Sequence, residues 1–213
     1  MSVPSPQQKP FNSATRAGVS AVGVLCGLAG MEHGVGEILQ GNVATSGMVI
    51  NAWQPASPLF GEEPAVTIIP NLFVTGVLAV IVSLLVVIWS VAFVQRKNGG
   101  AILLLLSIIQ FLVGGGIAPL FPAITVGVAA TRINSPLTWW RVHLPVNARR
   151  ILAKLWVGSL IAFSFLYSSL LLSRYVYGTN VDLAMNLGDI TLGLIFLAVF
   201  AGFAHDIQRR SGE

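Results

Sequence analysis

The chain has 213 residues, of which 54% are hydrophobic and 9% are charged, and its formal net charge is +4. Soluble domains carry about 25% charged residues, so this chain has too few charges to cover a water-exposed surface. The composition excludes a soluble globular domain and predicts an all-α polytopic integral membrane protein, passing several times through the cell membrane.

Residues 1–15 are rich in Pro, Gln and Ser and predict a disordered cytoplasmic tail. The rest of the chain, 16–210, predicts a single transmembrane helical domain. Its first apolar segment covers about 17–40. Residues 17–30 have the length of a signal-peptide core, but the apolar run continues beyond them, which favours a retained helix.

The first segment contains ionisable residues, which are costly in hydrocarbon and indicate function by default. Helical spacing places His33 beside Glu37, whereas Glu32 is rotated by about 100° from His33. Glycines spaced by four and three residues share the face of Glu37, which predicts close helix packing, or an interface with a second copy or another membrane protein. These packing glycines are Gly23, Gly27, Gly30, Gly34 and Gly41.

Three later segments, at about 71–94, 155–173 and 185–204, are long and apolar enough to span a bilayer. The uncharged stretch 99–131 is long for one crossing and short for two. Cytoplasmic loops are enriched in Lys and Arg. A single crossing places 5 of these residues inside and 7 outside, whereas entering and returning places 11 inside and 1 outside. The charges therefore predict about five or six membrane segments, with a short or re-entrant hairpin at 99–131 and both termini cytoplasmic. One long kinked helix is the alternative.

A glycine- and proline-rich motif interrupts this hairpin. Non-helical backbone at membrane depth is tolerated only where protein or a water-filled cavity surrounds it, so other helices should enclose the motif. The predicted turn residues are Gly114, Gly115, Gly116, Pro119 and Pro122.

Aromatic and basic residues alternate after the hairpin. Trp favours the headgroup level, and basic side chains attract anionic lipid. The lipid bilayer is therefore the expected partner, and no nucleic-acid-binding motif is present. The predicted interface anchors are Trp139, Trp140, Arg141, Arg149 and Arg150.

Several polar residues are expected near the outer surface. The hairpin topology places His33, Glu37 and Asp189 at similar depth. With Glu32 and Asn71, they are the predicted ion- or proton-handling residues, because an imidazole beside a carboxylate can exchange protons. The alternative is that they only tie helices together, at about 0.6 kcal/mol per contact.

The sequence predicts a channel- or transporter-like protein with an outward-facing acidic cation or proton site. The alternatives are a non-catalytic membrane scaffold or complex subunit, and a membrane enzyme that uses His33 and Glu37. No catalytic dyad can be assigned, and the histidines are too far apart in depth for a haem. An enzyme is therefore not favoured, and neither a metal nor a cofactor is predicted.

Overall fold

The computed structural model describes residues 11–54, 63–176 and 181–211, with side chains described in these ranges except at 173–185. The described chain is mostly α-helical. It contains four helices that are long and apolar enough to cross a membrane, which is compatible with the membrane protein that the composition predicts. These four helices lie at Ser13–Leu39, Leu72–Phe93, Val146–Leu172 and Asn186–Ser211.

The described residues form seven α-helices and one strand pair. The short strands β1 (Val49–Asn51) and β2 (Pro64–Val66) pair antiparallel between the first two helices. The second helix continues as a π-helical turn over Trp89–Phe93. The helices are α1 (Ser13–Leu39), α2 (Leu72–Ile88), α3 (Gly99–Leu112), α4 (Leu120–Ala130), α5 (Thr138–His143), α6 (Val146–Val176) and α7 (Val181–Ser211).

Helix α1 begins at Ser13, so residues 13–15 are helical and not part of the predicted disordered tail. Asn12 is fully buried, and its backbone N–H donates to Ile133 O at 2.8 Å. Its side-chain amide donates to two more carbonyl groups of the same turn, at 2.6 and 2.9 Å. These tertiary contacts order the chain before the helix, although its local composition favours disorder. Residues 1–10 lie outside the described part of the chain.

The predicted glycine stripe of α1 packs against α2. A Cβ atom added at Gly27 would lie 2.9 Å from Ser83 O, and one at Gly34 would lie 2.7 Å from Gly76 O. The two backbones therefore approach closely because these positions lack side chains. Gly23 and Gly30 are equally crowded. Because α2 and α3 cover this face, an interface with a second copy would need another surface.

Gly41 does not belong to this stripe, which corrects the sequence interpretation. Helix α1 ends at Leu39, and Gly41 lies beyond it with φ +87°. Among the described residues, no atom lies within 4 Å of a Cβ built at Gly41. A helical spacing cannot predict packing past the residue where the helix stops.

The stretch 99–131 folds as two separate helices, α3 and α4. The residues that flank them come together, since Asn134 Nδ2 donates to Gln95 O at 2.8 Å. Gly100 lies directly against the backbone of Thr131. The start of α3 and the end of α4 therefore lie at the same end of the molecule.

The N-terminus of α1 and the C-terminus of α7 share that end. Asp206 accepts hydrogen bonds from the backbone of Ala14 and Thr15, at 3.0 and 2.8 Å, and from Thr15 Oγ1 at 2.7 Å. A carboxylate there satisfies free helix N–H groups and complements the positive end of the helix dipole. We call this the basic end, after the basic residues on its elements: Arg16, Arg96, Lys97, Arg132, Arg141, Arg149, Arg150, Lys154, Arg209 and Arg210.

The predicted interface anchors also belong to the basic end, and they differ in exposure. Trp140 packs on Phe200 and Phe203 of α7, with ring centroids 5.2 and 5.3 Å apart, which fixes α5 against α7. Three of the anchors are exposed, namely Trp139, Arg141 and Arg150. Trp140 is half-buried, and Arg149 is buried.

Candidate functional site

At the opposite end, the turn between α3 and α4 is hydrogen-bonded to β2. The Gly114 N–H donates to Val66 O at 2.9 Å, and the Ile117 N–H donates to Pro64 O at 3.2 Å. On its other side, β2 pairs with β1, where Val66 lies opposite Val49. Two N–H groups of the non-helical turn are therefore paired with carbonyl groups of β2.

Gly114 and Gly116 of this turn lie against two ionisable side chains of α1. Both have positive φ angles, +98° and +84°, which residues with a side chain rarely adopt. A Cβ atom at Gly116 would lie 2.6 Å from His33 Nε2, and one at Gly114 would overlap the Glu37 carboxyl group. The glycine-rich turn and the segment of α1 that carries His33 and Glu37 are therefore in direct contact, although they are far apart in the sequence.

The remaining predicted turn residues support the same bend. The Gly115 N–H donates to Gln110 O at 2.8 Å. Pro119 precedes the first residue of α4, and Pro122 lies in its first turn, where proline costs a helix least.

His33 is the centre of a small polar group. Its Nδ1 atom lies 3.0 Å from Ala29 O and 3.2 Å from Glu32 Oε2. Both neighbours are acceptors, so Nδ1 carries the hydrogen. Glu63, just before β2, completes the group, because one polar atom from each of the three side chains lies within 4.8 Å of the others. We call Glu32, His33 and Glu63 the acidic cluster.

The acidic cluster lies in the wall of a cavity of about 450 Å³. The cavity is bounded by α1, the start of β2, the segment 117–122, α6 and α7. Apart from the cluster, its lining is mostly aliphatic and aromatic, with Phe121, Phe163 and Tyr167 contributing rings. Its volume is in the range of small-molecule sites, which are typically apolar with a few convergent polar groups.

Glu37, a predicted site residue, is separate from the cavity lining. It is fully buried, and within the described part of the chain neither of its carboxyl oxygens has a hydrogen-bond partner. Its position on the glycine-bearing face of α1 points it at Gly114, as described above. Glu37 therefore faces protein, while Glu32 and His33 face the cavity.

The other two predicted site residues lie apart from the acidic cluster. Asp189 is exposed on α7, whereas its neighbours Gly188 and Thr191 line the cavity. Asn71 caps α2: its side-chain oxygen accepts from Val74 N at 3.0 Å. These positions make Asp189 a surface carboxylate and give Asn71 a structural role.

Sequence reasoning did not single out Glu63. It lies about thirty residues from His33 in a connection without helical periodicity, so no spacing rule relates the two. The strand pair and its bonds to the glycine-rich turn bring them together. The only local signal of this strand pairing is the short run of apolar residues at each of the two strands, β1 and β2.

The acidic cluster has a ligand set that divalent metal ions accept, namely two carboxylates and one imidazole. One observation opposes a metal: to bind it, His33 would lose its bond to Ala29 O, or turn its other nitrogen away from Gly116.

Comparison with known proteins assigns no relative: no protein-family model, no curated protein and no solved structure matches this chain.

Proposed function

We propose that the protein is transporter-like and takes up a cation at the acidic cluster. The observation that carries the proposal is the position of Glu32, His33 and Glu63 together in the wall of one cavity. Ionisable groups within membrane segments usually mark ion or substrate pathways. Two ionised carboxylates outweigh the charge of one imidazole in either of its protonation states, so the site carries a net negative charge and attracts cations.

The distribution of charge supports an orientation. Basic residues gather at the basic end, and cytoplasmic loops carry the excess of Lys and Arg. We therefore place the basic end and both termini in the cytoplasm of a multi-pass cell-membrane protein. The acidic cluster then lies in the outer half of the membrane.

In this orientation α3 and α4 form a re-entrant hairpin. Their 14 and 11 residues give lengths of about 21 and about 17 Å, which are short of a hydrocarbon core of about 30 Å. The glycine-rich turn would then lie within the membrane, enclosed by α1 and β2. The described helices form one transmembrane domain in contact with lipid.

A proton can exchange for the transported cation. His33 Nδ1 lies 3.2 Å from a Glu32 oxygen, so an imidazolium protonated on both nitrogens can pass its Nδ1 proton to that carboxylate and keep the Nε2 proton. A cation that arrives at the carboxylates displaces such a proton. Glu37 is a separate, enclosed group, and the turn around it has to open before it can exchange protons with the cavity.

The test is a flux measurement in proteoliposomes. Currents are recorded on solid-supported membranes after concentration jumps of H⁺, Na⁺, K⁺, Mg²⁺ and tetraphenylphosphonium, with protein-free vesicles as the background. We expect at least one cation to give a current that falls by about tenfold in Glu63→Gln, because a charged partner is lost. The proposal fails if no cation gives a current that depends on Glu63.

The second candidate function is that of a metal-dependent membrane enzyme. It is favoured only by the ligand set of the acidic cluster. Elemental analysis of the purified protein separates the two. Because a metal on His33 Nδ1 would replace the contact of that atom with Ala29 O, we expect far less than one divalent ion per chain after dialysis. One tightly bound ion per chain, lost in Glu63→Gln, would favour the enzyme.

A further inference from the structure

The cavity beside the acidic cluster is far larger than an inorganic cation requires. Its volume is about 450 Å³, whereas one water molecule takes up about 30 Å³ of liquid. Most of the wall is apolar, so it gives no hydration or coordination to a bare ion. An occupant that fills this space needs an apolar body.

The charged residues in the wall determine which sign of charge the occupant can carry. Within the described part of the chain, the ionisable residues Glu32, His33, Glu63 and Tyr167 line the cavity, and neither Lys nor Arg does. An anionic amphiphile would meet two carboxylates. A neutral lipid would desolvate those carboxylates without pairing their charge, which is costly. A cation satisfies them.

Aromatic rings provide a second feature that suits a cation. Phe163 and Tyr167 are stacked on α6 with ring centroids 5.5 Å apart, and Phe121 contributes another ring from α4. Ring faces attract organic cations, most strongly where water is excluded. Phe121 offers most of this aromatic surface, since Phe163 and Tyr167 are buried behind it in the lining. Carboxylates and aromatic rings in one apolar wall favour a cation whose charge is carried on an organic body.

The cavity is accessible from the surface beside α4 and α7. Phe121 and Leu192 both line the cavity, yet they are 57% and 40% exposed. Side chains that line a cavity and also reach the surface lie at its opening. In the proposed orientation this opening faces lipid, where lipophilic amines accumulate.

We propose that the cavity binds an amphiphilic organic cation, such as a lipophilic amine or a quaternary ammonium or phosphonium ion. Its charge lies beside Glu32 and Glu63, and its apolar body lies against the apolar lining around Phe121 and Leu192. This inference rests on the proposed cation site and names the substrate class of that site.

The test measures binding of radiolabelled tetraphenylphosphonium to the purified full-length protein by equilibrium dialysis. Three variants are compared after circular dichroism confirms their helical content. Glu63→Gln removes a cluster charge, and Asp189→Asn removes an exposed carboxylate from α7. Gly188→Phe fills the cavity, and among the described residues no atom lies within 4 Å of a Cβ at Gly188, so its backbone tolerates a side chain.

We expect the wild type and Asp189→Asn to bind equally, and Glu63→Gln and Gly188→Phe to bind at least about tenfold more weakly. The neutral triphenylphosphine oxide should compete poorly. Equal competition by the neutral compound, or unchanged binding by Glu63→Gln, overturns the inference, because the cavity would then select only for apolar surface.

The inference and the proposed function can fail separately. If tetraphenylphosphonium does not bind while inorganic cation currents still depend on Glu63, the substrate class is wrong and the cation site stands. If it binds as expected but no cation gives a current, the binding site stands and transport is wrong.

Discussion

Gly114 and Gly116 show at the scale of single residues how the turn depends on the absence of a side chain. Both combine a positive φ angle with direct contact to an ionisable side chain of α1. These two costs of a substitution can be separated, because Gly41 has the same kind of φ angle and no described atom near its Cβ position.

We expect Gly116→Ala to lower the thermal stability of the purified protein more than Gly41→Ala does. Both variants incur the backbone cost of about 1–2 kcal/mol. Only Gly116→Ala also forces His33 to move, which adds about 1–3 kcal/mol of overpacking. Thermal unfolding followed by circular dichroism in one detergent measures the difference, and equal losses would show that His33 does not pack on the turn as described.

Members of the acidic cluster could be grouped from the sequence only where one helix relates them. Glu32 and His33 are adjacent on α1, and their place in an apolar segment marks them as unusual. Asp189 was expected beside them from depth alone, but depth does not determine the face of a helix, and Asp189 is exposed. Glu63 joins the cluster through strand pairing, which helical periodicity cannot reveal.

At the scale of elements, the glycine stripe of α1 positions the acidic cluster relative to the rest of the fold. Gly30 lies against the amide of Gln110 and the hydroxyl of Ser83, and Gln110 Nε2 donates to Cys26 O at 3.0 Å. Helix α3, which carries Gln110, leads directly into the glycine-rich turn. Close packing of α1 therefore helps to hold that turn against His33.

Replacement of Gly30 by Ala should destabilise the protein by about 1–3 kcal/mol, since the added methyl group overlaps Gln110 and Ser83. Gly18→Ala is the matched control on the same helix. No described atom lies within 4 Å of its Cβ position, and Ala favours a helix by up to about 1 kcal/mol. Urea unfolding of the two variants in mild detergent compares them, and a neutral Gly30→Ala would contradict the packing described for α1.

Apolar length and glycine spacing predicted the main helices, but not all of their ends. Helix α6 begins at Val146, earlier than the segment predicted at 155–173, because charged residues at the basic end continue the helix beyond its apolar part. Helix α1 begins at Ser13 because Asp206 caps it from α7. Such ends depend on residues distant in the sequence.

At the scale of the whole molecule, charge separates along the helices. The basic end holds the start of α1, the end of α7 and the residues that flank the α3–α4 pair. The acidic cluster and Glu37 lie toward the other end, where α1 finishes and β1 and β2 pair. The orientation proposed from this separation predicts on which side of the membrane each connection between helices lies.

Single cysteines test that orientation. Asn98, Asn134 and Asn42 are all exposed, and the native Cys26 is fully buried and can be replaced by Ala. In intact cells an impermeant maleimide should label Asn42→Cys but neither Asn98→Cys nor Asn134→Cys, and all three should react after permeabilisation. Labelling of Asn98→Cys and Asn134→Cys from opposite sides would rule out the hairpin topology.

The central claim is that a cation is taken up at the acidic cluster and not at the acidic surface in general. The most direct measurement compares the initial cation current of Glu63→Gln with that of Asp189→Asn in the same proteoliposomes. Each variant removes one carboxylate, but only Glu63 lines the cavity. We predict a loss of about tenfold for Glu63→Gln and little change for Asp189→Asn. Equal currents in the two variants would contradict the claim.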